Sequence, residues 1–232
     1  MLDLTNKWAL VTGASRGVGK RIATALVEKG CNVILHSRDL ANTAILLDQL
    51  KSASKNKVHA VSAELSSPED VERLINKVNA ITQNKLDILY NNAAIMHAPR
   101  PMFKPTYVDY QASFMVNTIA PAKLCDAFLP RMLERNWGRI VNVSSGIENQ
   151  PELMPYSCSK AALDRYVRDM VTKLEGSNVL MNLLDPGWLR TDLGGVNADN
   201  HPDSVIPGAL VPIFIDQAEG SGKLYQAQDY AI

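Results

Sequence analysis

The chain has 232 residues, of which 46% are hydrophobic, so it is long enough to bury a sizeable core. Lysine plus arginine and aspartate plus glutamate number 24 each, and this zero net charge argues against nucleic acid or an anionic membrane as a partner, because both need a basic excess. No apolar run approaches the ~18 residues of a membrane span, and neither the three cysteines nor the four histidines are spaced for disulfides or metal, so we expect a cytoplasmic protein.

Short apolar runs alternate with longer amphipathic segments along the chain. The runs predict strands at Trp8–Thr12, Asn32–His36, Val58–Ser62, Leu86–Tyr90, Arg139–Val143, Val179–Leu184 and near Lys223–Gln226. The first six are followed by predicted helical or loop-plus-helical stretches at Val18–Lys29, Leu40–Ser54, Pro68–Gln83, Tyr107–Arg135, Met154–Glu175 and Asp203–Asp216. Continuously apolar strands that alternate with helices indicate a parallel sheet covered on both faces. We therefore predict a three-layer, doubly wound α/β fold of about seven strands, with residues 1–232 forming one domain.

The first predicted turn carries a glycine pattern suited to a phosphate. It reads Thr12-Gly13-Ala14-Ser15-Arg16-Gly17-Val18-Gly19 and joins the first strand to the first helix. Glycines permit a tight turn and let backbone N–H groups approach an anion, while the helix N-terminus adds the positive end of its dipole. The Gly-x-x-x-Gly-x-Gly spacing differs from the common dinucleotide fingerprint, and no P-loop lysine follows. The position of this turn predicts nucleotide binding.

The end of the second strand bears on which nucleotide binds. An acidic side chain there would hold a ribose 2′-hydroxyl, whereas an arginine would accommodate a 2′-phosphate. Ser37 stands where the acid is expected, Arg38 follows it, and Arg16 in the glycine turn could supply a second guanidinium. These residues favour NADP(H) over NAD(H). Two alternatives stay open: a solvated Arg38, and Asp39 serving as the acid one position late.

Tyr156 and Lys160 lie four positions apart in a segment without internal glycine or proline. Residues i and i+4 share one helix face, so the ammonium group is about one turn from the phenol. A free tyrosine titrates near pH ~10, and a nearby positive charge would lower that pKa toward neutrality. Ser144 and Ser145 end an apolar strand upstream and could hydrogen-bond a substrate oxygen. Taken alone, such a pair is more often a surface helix pair, so its interpretation depends on the other motifs.

Together these motifs resemble the short-chain dehydrogenase/reductase family in its compact form, which has a Rossmann fold. The resemblance covers essentially the whole chain. The matching residues occur in the family's order: Gly13, Gly17 and Gly19; Asn91-Asn92-Ala93-Ala94; Asn117; Ser145; Tyr156 and Lys160; and Pro186-Gly187 followed by Thr191. The stretch Pro186–Asp192 also looks like that of carbonyl-reductase-like relatives.

The resemblance implies a role for each catalytic candidate. Tyr156 would be the general acid in carbonyl reduction, and Ser145 would hold the substrate oxygen. Lys160 would lower the pKa of Tyr156 and hold the nicotinamide ribose, and Asn117 would anchor a proton-relay water. The implied cofactor contacts, besides Tyr156 and Lys160, are Gly13, Ser15, Arg16, Gly17, Val18, Gly19, Ser37, Arg38, Glu64, Leu65, Asn91, Ala93, Pro186, Gly187, Trp188, Leu189 and Thr191.

The chain departs from the family pattern at three places. Ala94 stands where the family usually has glycine, and Glu64 stands where an aspartate usually meets the adenine. The loop from Gly146 to Pro155 is shorter than the family commonly shows, which leaves both Ser144 and Ser145 as candidates for the substrate-facing hydroxyl. We prefer Ser145 and expect Ser144 to face the protein and bond the backbone.

The residues and the resemblance together predict an NADP(H)-dependent oxidoreductase that acts on a small-molecule carbonyl or alcohol, as a homodimer or homotetramer. Met96, His97 and Met102, after the fourth strand, are candidates for substrate contact. Two alternatives remain: a 3-oxoacyl-carrier-protein reductase, and a catalytically silent protein that senses NADP(H). The intact set Asn117, Ser145, Tyr156 and Lys160 favours the enzyme over the sensor.

Overall fold

The computed structural model describes residues 2–99, 101 and 104–231, so that Met102 lies outside the described residues. Seven strands lie within them: β1 (Trp8–Val11), β2 (Asn32–Ser37), β3 (Val58–Ser62), β4 (Ile88–Asn91), β5 (Gly138–Val143), β6 (Val179–Asp185) and β7 (Leu224–Gln226). They form one parallel sheet in the order β3-β2-β1-β4-β5-β6-β7. The predicted doubly wound fold is confirmed, and each strand begins and ends within two residues of its prediction.

The helices pack on both faces of this sheet. Their bounds are α1 (Gly17–Glu28), α2 (Ala44–Ala53), α3 (Pro68–Thr82), α4 (Tyr107–Phe114), α5 (Ala120–Glu134), α6 (Met154–Asp169), α7 (Val171–Leu174) and α8 (Val211–Phe214). Two predicted segments are subdivided: Tyr107–Arg135 contains a π-helical turn between α4 and α5, and Met154–Glu175 breaks after α6. The predicted stretch Asp203–Asp216 forms short 3₁₀ turns followed only by α8, because prolines interrupt it.

The two faces of the sheet bury separate hydrophobic clusters. Along β1, Ala9 and Val11 pack toward α1 and α2, while Leu10 between them packs toward α3 and α5. This division follows from the pleat, since successive side chains of a strand point to opposite faces. Both faces of the central strands are therefore apolar, and the polar side chains concentrate at the carboxyl ends of the strands.

Candidate active site

The strand order reverses at β1, which lies between β2 and β4. In open α/β sheets the crevice beyond the carboxyl ends at such a point is where ligands bind. Thr12 joins the two strand ends here: its hydroxyl donates to the Tyr90 carbonyl oxygen at 3.2 Å and accepts from the Asn92 N–H at 3.0 Å. The glycine turn and the Asn-Asn-Ala-Ala segment therefore lie side by side at the switch point.

Close packing explains the glycines of this turn. Gly13 and Gly17 have φ of +66° and +56°, which side chains rarely adopt. A Cβ at Gly19 would collide with the Gly13 carbonyl oxygen and the Asn92 amide nitrogen. The Asn92 amide in turn donates to the Thr12 carbonyl oxygen at 2.8 Å. The turn is thus held in one shape by backbone contacts that leave no room for side chains.

The N-terminus of α1 fits a phosphate group. Arg16 is the N-cap residue, yet its side chain makes no capping hydrogen bond, and the first turn contains no acidic residue. The first N–H groups of a helix have no intrahelical acceptor, and the dipole makes this end positive. Ser15 and Val18 are half-buried on either side of the exposed Arg16. The predicted phosphate site is therefore sterically and electrostatically suited to an anion.

His36 supports the glycine turn, and the sequence did not mark it as functional. It is 2% exposed at the end of β2. Its Nδ1 accepts from the Gly13 N–H at 3.3 Å, so the other ring nitrogen, Nε2, carries the proton and donates to the Ala63 carbonyl oxygen at 3.1 Å. Burial lowers the pKa of His36 to about 4, which keeps this neutral tautomer in place. Its position at the strand end opposite the glycine turn was the available signal.

His36 makes the stability of the protein sensitive to mild acid. Because its pKa falls from 6.5 unfolded to about 4 folded, the unfolded chain binds more protons between those pH values. The contribution of neutral His36 to the free energy of unfolding is complete above pH ~6.5. It is lost as the pH falls through about 4, and the total loss is about 3 kcal/mol. We expect His36→Gln to remove this part of the pH dependence, as measured by urea unfolding at pH 7, 5.5 and 4.5.

The comparison is His59→Gln, because His59 is exposed on β3; its pKa is also lowered, by partial burial and by Lys51 and Lys57, but without the near-complete burial of His36. This variant should therefore retain most of the pH dependence of the unmodified protein. An unchanged slope in His36→Gln would mean that His36 is not held neutral in the folded state.

The structure separates the two arginines that were predicted to share a 2′-phosphate. Arg38 is exposed after β2, and no hydrogen bond or ion pair holds its side chain within the described residues. Arg16 instead pairs with Asp192 at 3.1 Å. The Ser37 hydroxyl donates to the Asp39 carbonyl oxygen at 2.6 Å, and the Asp39 carboxylate accepts from the Ala41 N–H. Arg38 is therefore the free cation at this strand end, whereas Arg16 and Asp39 are engaged elsewhere.

At three of the predicted adenosine contacts, the side chain is hydrogen-bonded or packed within the protein. The Glu64 carboxylate accepts from the Ser66 N–H at 3.0 Å. Leu65 is 3% exposed and packs in the core. Asn91 is 2% exposed, and its amide donates to the Asn142 side-chain oxygen at 2.9 Å. The side chains of Leu65 and Asn91 point into the core, so a cofactor could meet only the backbone of these two residues, and their predicted contacts stay predictions.

Ser145 lies beside Tyr156, and Ser144 does not. The Ser145 hydroxyl accepts from the Ile147 N–H at 3.3 Å and lies near enough to the phenol to lower the pKa of Tyr156. The Ser144 hydroxyl donates to the Asp164 carboxylate on α6 at 2.6 Å, so it faces the protein as expected but bonds a carboxylate rather than the backbone. Successive residues at the end of β5 point to opposite sides, which places only one hydroxyl next to the phenol. This geometry supports Ser145 as the substrate-facing serine.

The pKa of Tyr156 corrects the expected effect of Lys160. Tyr156 is 6% exposed, and burial raises its pKa above the ordinary value, with a smaller increase from Asp185. Lys160 lies on the next turn, with its Nζ 5.9 Å from the centre of the Tyr156 ring. This Nζ donates to the Val143 carbonyl oxygen at 2.6 Å, and burial lowers the pKa of Lys160 to about 8. In this structure the desolvation of the phenol outweighs any attraction from the ammonium.

A π-helical turn, Met115–Ile119, places Asn117 beneath α6. Such turns are rare and often lie at functional sites. The Asn117 amide donates to the Ile95 carbonyl oxygen at 2.9 Å and to the Ser159 hydroxyl at 3.0 Å, and its oxygen accepts from the Ile95 N–H. The Ser159 hydroxyl donates to the Tyr156 carbonyl oxygen at 2.7 Å. Asn117 thus ties the loop after β4 to the backbone of Tyr156. Because the Asn117 side chain is engaged in these hydrogen bonds, a proton-relay water would have to bond chiefly to the backbone of Asn117.

The segment after β6 reaches back to the glycine turn. A Cβ at Gly17 would lie 3.4 Å from the Thr191 methyl group, in ordinary contact. The Gln228 amide donates to the Pro186 carbonyl oxygen at 2.8 Å, and Gly187 has φ of +80°. Leu189 is buried in the core, whereas Trp188 is 53% exposed, with its indole N–H donating to the Gly194 carbonyl oxygen. Thr191 therefore lies against the glycine turn at Gly17, and Pro186 and Gly187 directly follow the carboxyl end of β6 at the same edge of the sheet.

In the described part of the chain, no helix combines the length and apolarity that crossing a membrane requires. No group of three or more histidine, cysteine, aspartate or glutamate side chains among these residues is arranged to hold a metal ion.

Comparisons with known proteins agree with the observed fold. The model of the short chain dehydrogenase family matches residues 7–201. An uncharacterized oxidoreductase of Bacillus subtilis is 32% identical over 188 residues, which cover 80% of this chain and 70% of the relative. A 3-oxoacyl-[acyl-carrier-protein] reductase of Aquifex aeolicus is 29% identical over 197 residues, covering 84% and 79%. An NADPH-bound carbonyl reductase from chicken fatty liver is 26% identical, covers 99% of each chain and superposes with a TM-score of 0.85.

Proposed function

Because the chain belongs to the short-chain dehydrogenase family and is an NAD(P)-dependent oxidoreductase, we propose that it reduces the carbonyl group of a small molecule with NADPH, using Tyr156 as the proton donor. The observation that carries this proposal is the position of Tyr156, next to Ser145 and one helical turn from Lys160, at the same sheet edge as the uncapped N-terminus of α1. The resident cofactor, when bound, supplies a hydride. The chain supplies the proton and the groups that hold the substrate oxygen.

The proton chemistry is compatible with reduction. Burial holds the pKa of Tyr156 above its ordinary value, so the phenol is protonated at neutral pH and can give its proton to the substrate oxygen. Ser145 donates a second hydrogen bond to the same substrate oxygen, which stabilises the negative charge that develops there. Asn117 acts through Ser159, whose hydroxyl holds the Tyr156 backbone, and so keeps the phenol aimed at this oxygen.

The proposed cofactor sites follow from the crevice. The backbone of Gly13, Ser15 and Gly17 and the N-terminus of α1 would hold the diphosphate, and Lys160 would hold the nicotinamide ribose. The exposed, unheld Arg38 supports the choice of NADPH. Relatives that carry this cofactor support it too: an NADP-bound 3-oxoacyl (acyl-carrier-protein) reductase from Agrobacterium tumefaciens is 26% identical with a TM-score of 0.85.

A steady-state assay of NADPH oxidation tests the function. The panel would contain aldehydes, diketones, quinones and a 3-oxoacyl thioester, and we expect turnover of at least one neutral carbonyl compound. Preference for the thioester would favour the second candidate, a 3-oxoacyl-carrier-protein reductase, which the Aquifex and Agrobacterium relatives support. Tight NADPH binding without turnover of any carbonyl compound would favour a sensor and contradict the proposal.

Cofactor preference should depend on Arg38. A guanidinium that bonds a phosphate dianion contributes about 1.5–3 kcal/mol, so we expect Arg38→Ala to weaken NADPH binding roughly 10- to 100-fold. NADH lacks the 2′-phosphate, and its affinity should change less than about threefold. Fluorescence titration of both reduced cofactors measures the two dissociation constants.

The control for this substitution is Arg165→Ala, because Arg165 pairs only with the exposed Asp169 on α6. It should leave both affinities unchanged. Equal losses for NADPH and NADH in Arg38→Ala would show that Arg38 does not meet the 2′-phosphate.

A further inference from the structure

Asp185 places a carboxylate next to the proposed reaction centre. It ends β6 and is 7% exposed. Its Oδ1 accepts from the Gly187 N–H at 2.9 Å. Its Oδ2 faces the loop after Ser145, at 2.7 Å from the position that a Cβ on Gly146 would occupy. Within the described residues no hydrogen-bond donor reaches Oδ2, so this oxygen retains its acceptor capacity beside the Ser145 loop.

The negative charge of Asp185 acts on the Tyr156 phenol, which would hold the substrate oxygen. It also raises the pKa of Tyr156, in keeping with the contact of its Oδ2 with the Ser145–Gly146 segment next to the phenol. The other charged groups around this point are Lys160, whose Nζ is bonded to Val143, and Asp164, which accepts the Ser144 hydroxyl and also senses Arg168. A substrate carbonyl bonded to Tyr156 therefore lies within the field of the Asp185 carboxylate.

We propose that Asp185 determines substrate specificity: its free Oδ2 favours neutral carbonyl compounds that carry a hydrogen-bond donor beside the carbonyl, and it repels compounds with a carboxylate there. This inference rests on the proposed function. A carboxylate oxygen that no protein donor reaches can accept one from the substrate, so a hydroxyl next to the carbonyl gains binding by donating to it. A carboxylate on the adjacent carbon, as in 2-oxo acids, places like charges together in a poorly solvated crevice. Hydroxyketones belong to the favoured class, and 2-oxo acids belong to the rejected one.

Three ketones with one aromatic body isolate this effect: 2-hydroxyacetophenone, acetophenone and benzoylformate carry a hydroxymethyl, a methyl and a carboxylate group beside the carbonyl. We expect kcat/KM of the unmodified protein to fall in that order. Asp185→Asn keeps an oxygen for the Gly187 N–H and turns an amide nitrogen toward the crevice. The benzoylformate-to-acetophenone ratio should then rise at least about tenfold, and the hydroxyl preference should fall about threefold or more.

Asp199→Asn is the matched control, because Asp199 is an exposed carboxylate farther along the same connection. It should leave both ratios as they are. The inference is overturned if Asp185→Asn changes both ratios by less than about twofold, or changes kcat/KM for the three ketones equally.

A binding measurement separates this inference from the proposed function. If none of the three ketones is reduced, the proposed reduction is contradicted for them, but the role of Asp185 can still be measured with mandelate, the alcohol counterpart of benzoylformate. In the presence of NADP⁺, and in a Tyr156→Phe background that prevents oxidation, calorimetry should show mandelate binding at least about tenfold tighter once Asp185 is replaced by asparagine. No gain in mandelate affinity counts against Asp185.

Discussion

Tyr156→Phe is expected to lower kcat/KM for carbonyl reduction by about 10²- to 10⁴-fold, the usual contribution of a positioned general acid. The substitution removes only the hydroxyl oxygen, which lies beside Ser145. The ring stays in a site where Tyr156 is 6% exposed, so packing changes little. The affinity for NADPH should stay within about threefold, because the loss concerns the proton and not the glycine turn. Initial rates and fluorescence titration measure the two quantities separately.

A second tyrosine on the same helix provides the comparison. Tyr166 lies on α6, and its hydroxyl bonds the exposed Asp126 at 3.3 Å, away from the crevice. Tyr166→Phe should retain at least about half of the activity. Activity of Tyr156→Phe near the level of the unmodified protein would mean that another group donates the proton.

Gly19→Ala is expected to weaken NADPH binding by more than about 100-fold and to lower the free energy of unfolding by about 1–3 kcal/mol. The added Cβ would collide with the Gly13 carbonyl oxygen and the Asn92 amide, and the first of these is backbone that cannot rotate away. Relief of the clash must move the glycine turn away from the N-terminus of α1. Both consequences follow from one displacement, so they should appear together in titration and in urea unfolding.

Gly220→Ala distinguishes this clash from backbone strain. Gly220 has φ of +76° but nothing within 4 Å of a Cβ, and it lies between β6 and β7. Its substitution should cost about 1 kcal/mol of stability without any change in NADPH affinity. If Gly19→Ala binds NADPH as tightly as the unmodified protein, the turn does not hold the diphosphate.

Local sequence patterns were sufficient to predict the fold and to identify the motifs in their order along the chain. The alternation of apolar runs with amphipathic segments predicted the parallel sheet, since each run must bury both faces. The Tyr156–Lys160 spacing predicted one shared helix face, and α6 carries both residues. The π-helical turn inside Tyr107–Arg135 and the short turns after Asp203 depend on packing and on prolines, which a periodicity of 3.6 does not resolve.

Partners that are distant along the chain could not be predicted in the same way. The Arg16–Asp192 pair, the Ser144–Asp164 hydrogen bond and the approach of Asp185 to Gly146 each join different crossovers of the sheet. Their geometry depends on how those crossovers pack, which spacing does not encode. The same holds for His36, whose role depends on the neighbouring turn at Gly13.

The chain order of the glycine turn, the serine pair and Tyr156–Lys160 was enough to predict an oxidoreductase of this fold, because short-range spacing sets which side chains share a helix face or a strand end. The protonation of Tyr156 and the choice between Ser144 and Ser145 required the folded molecule. Both depend on burial and on charges contributed by separate elements, and desolvation of the phenol reversed the direction of the pKa shift that the lysine spacing predicted.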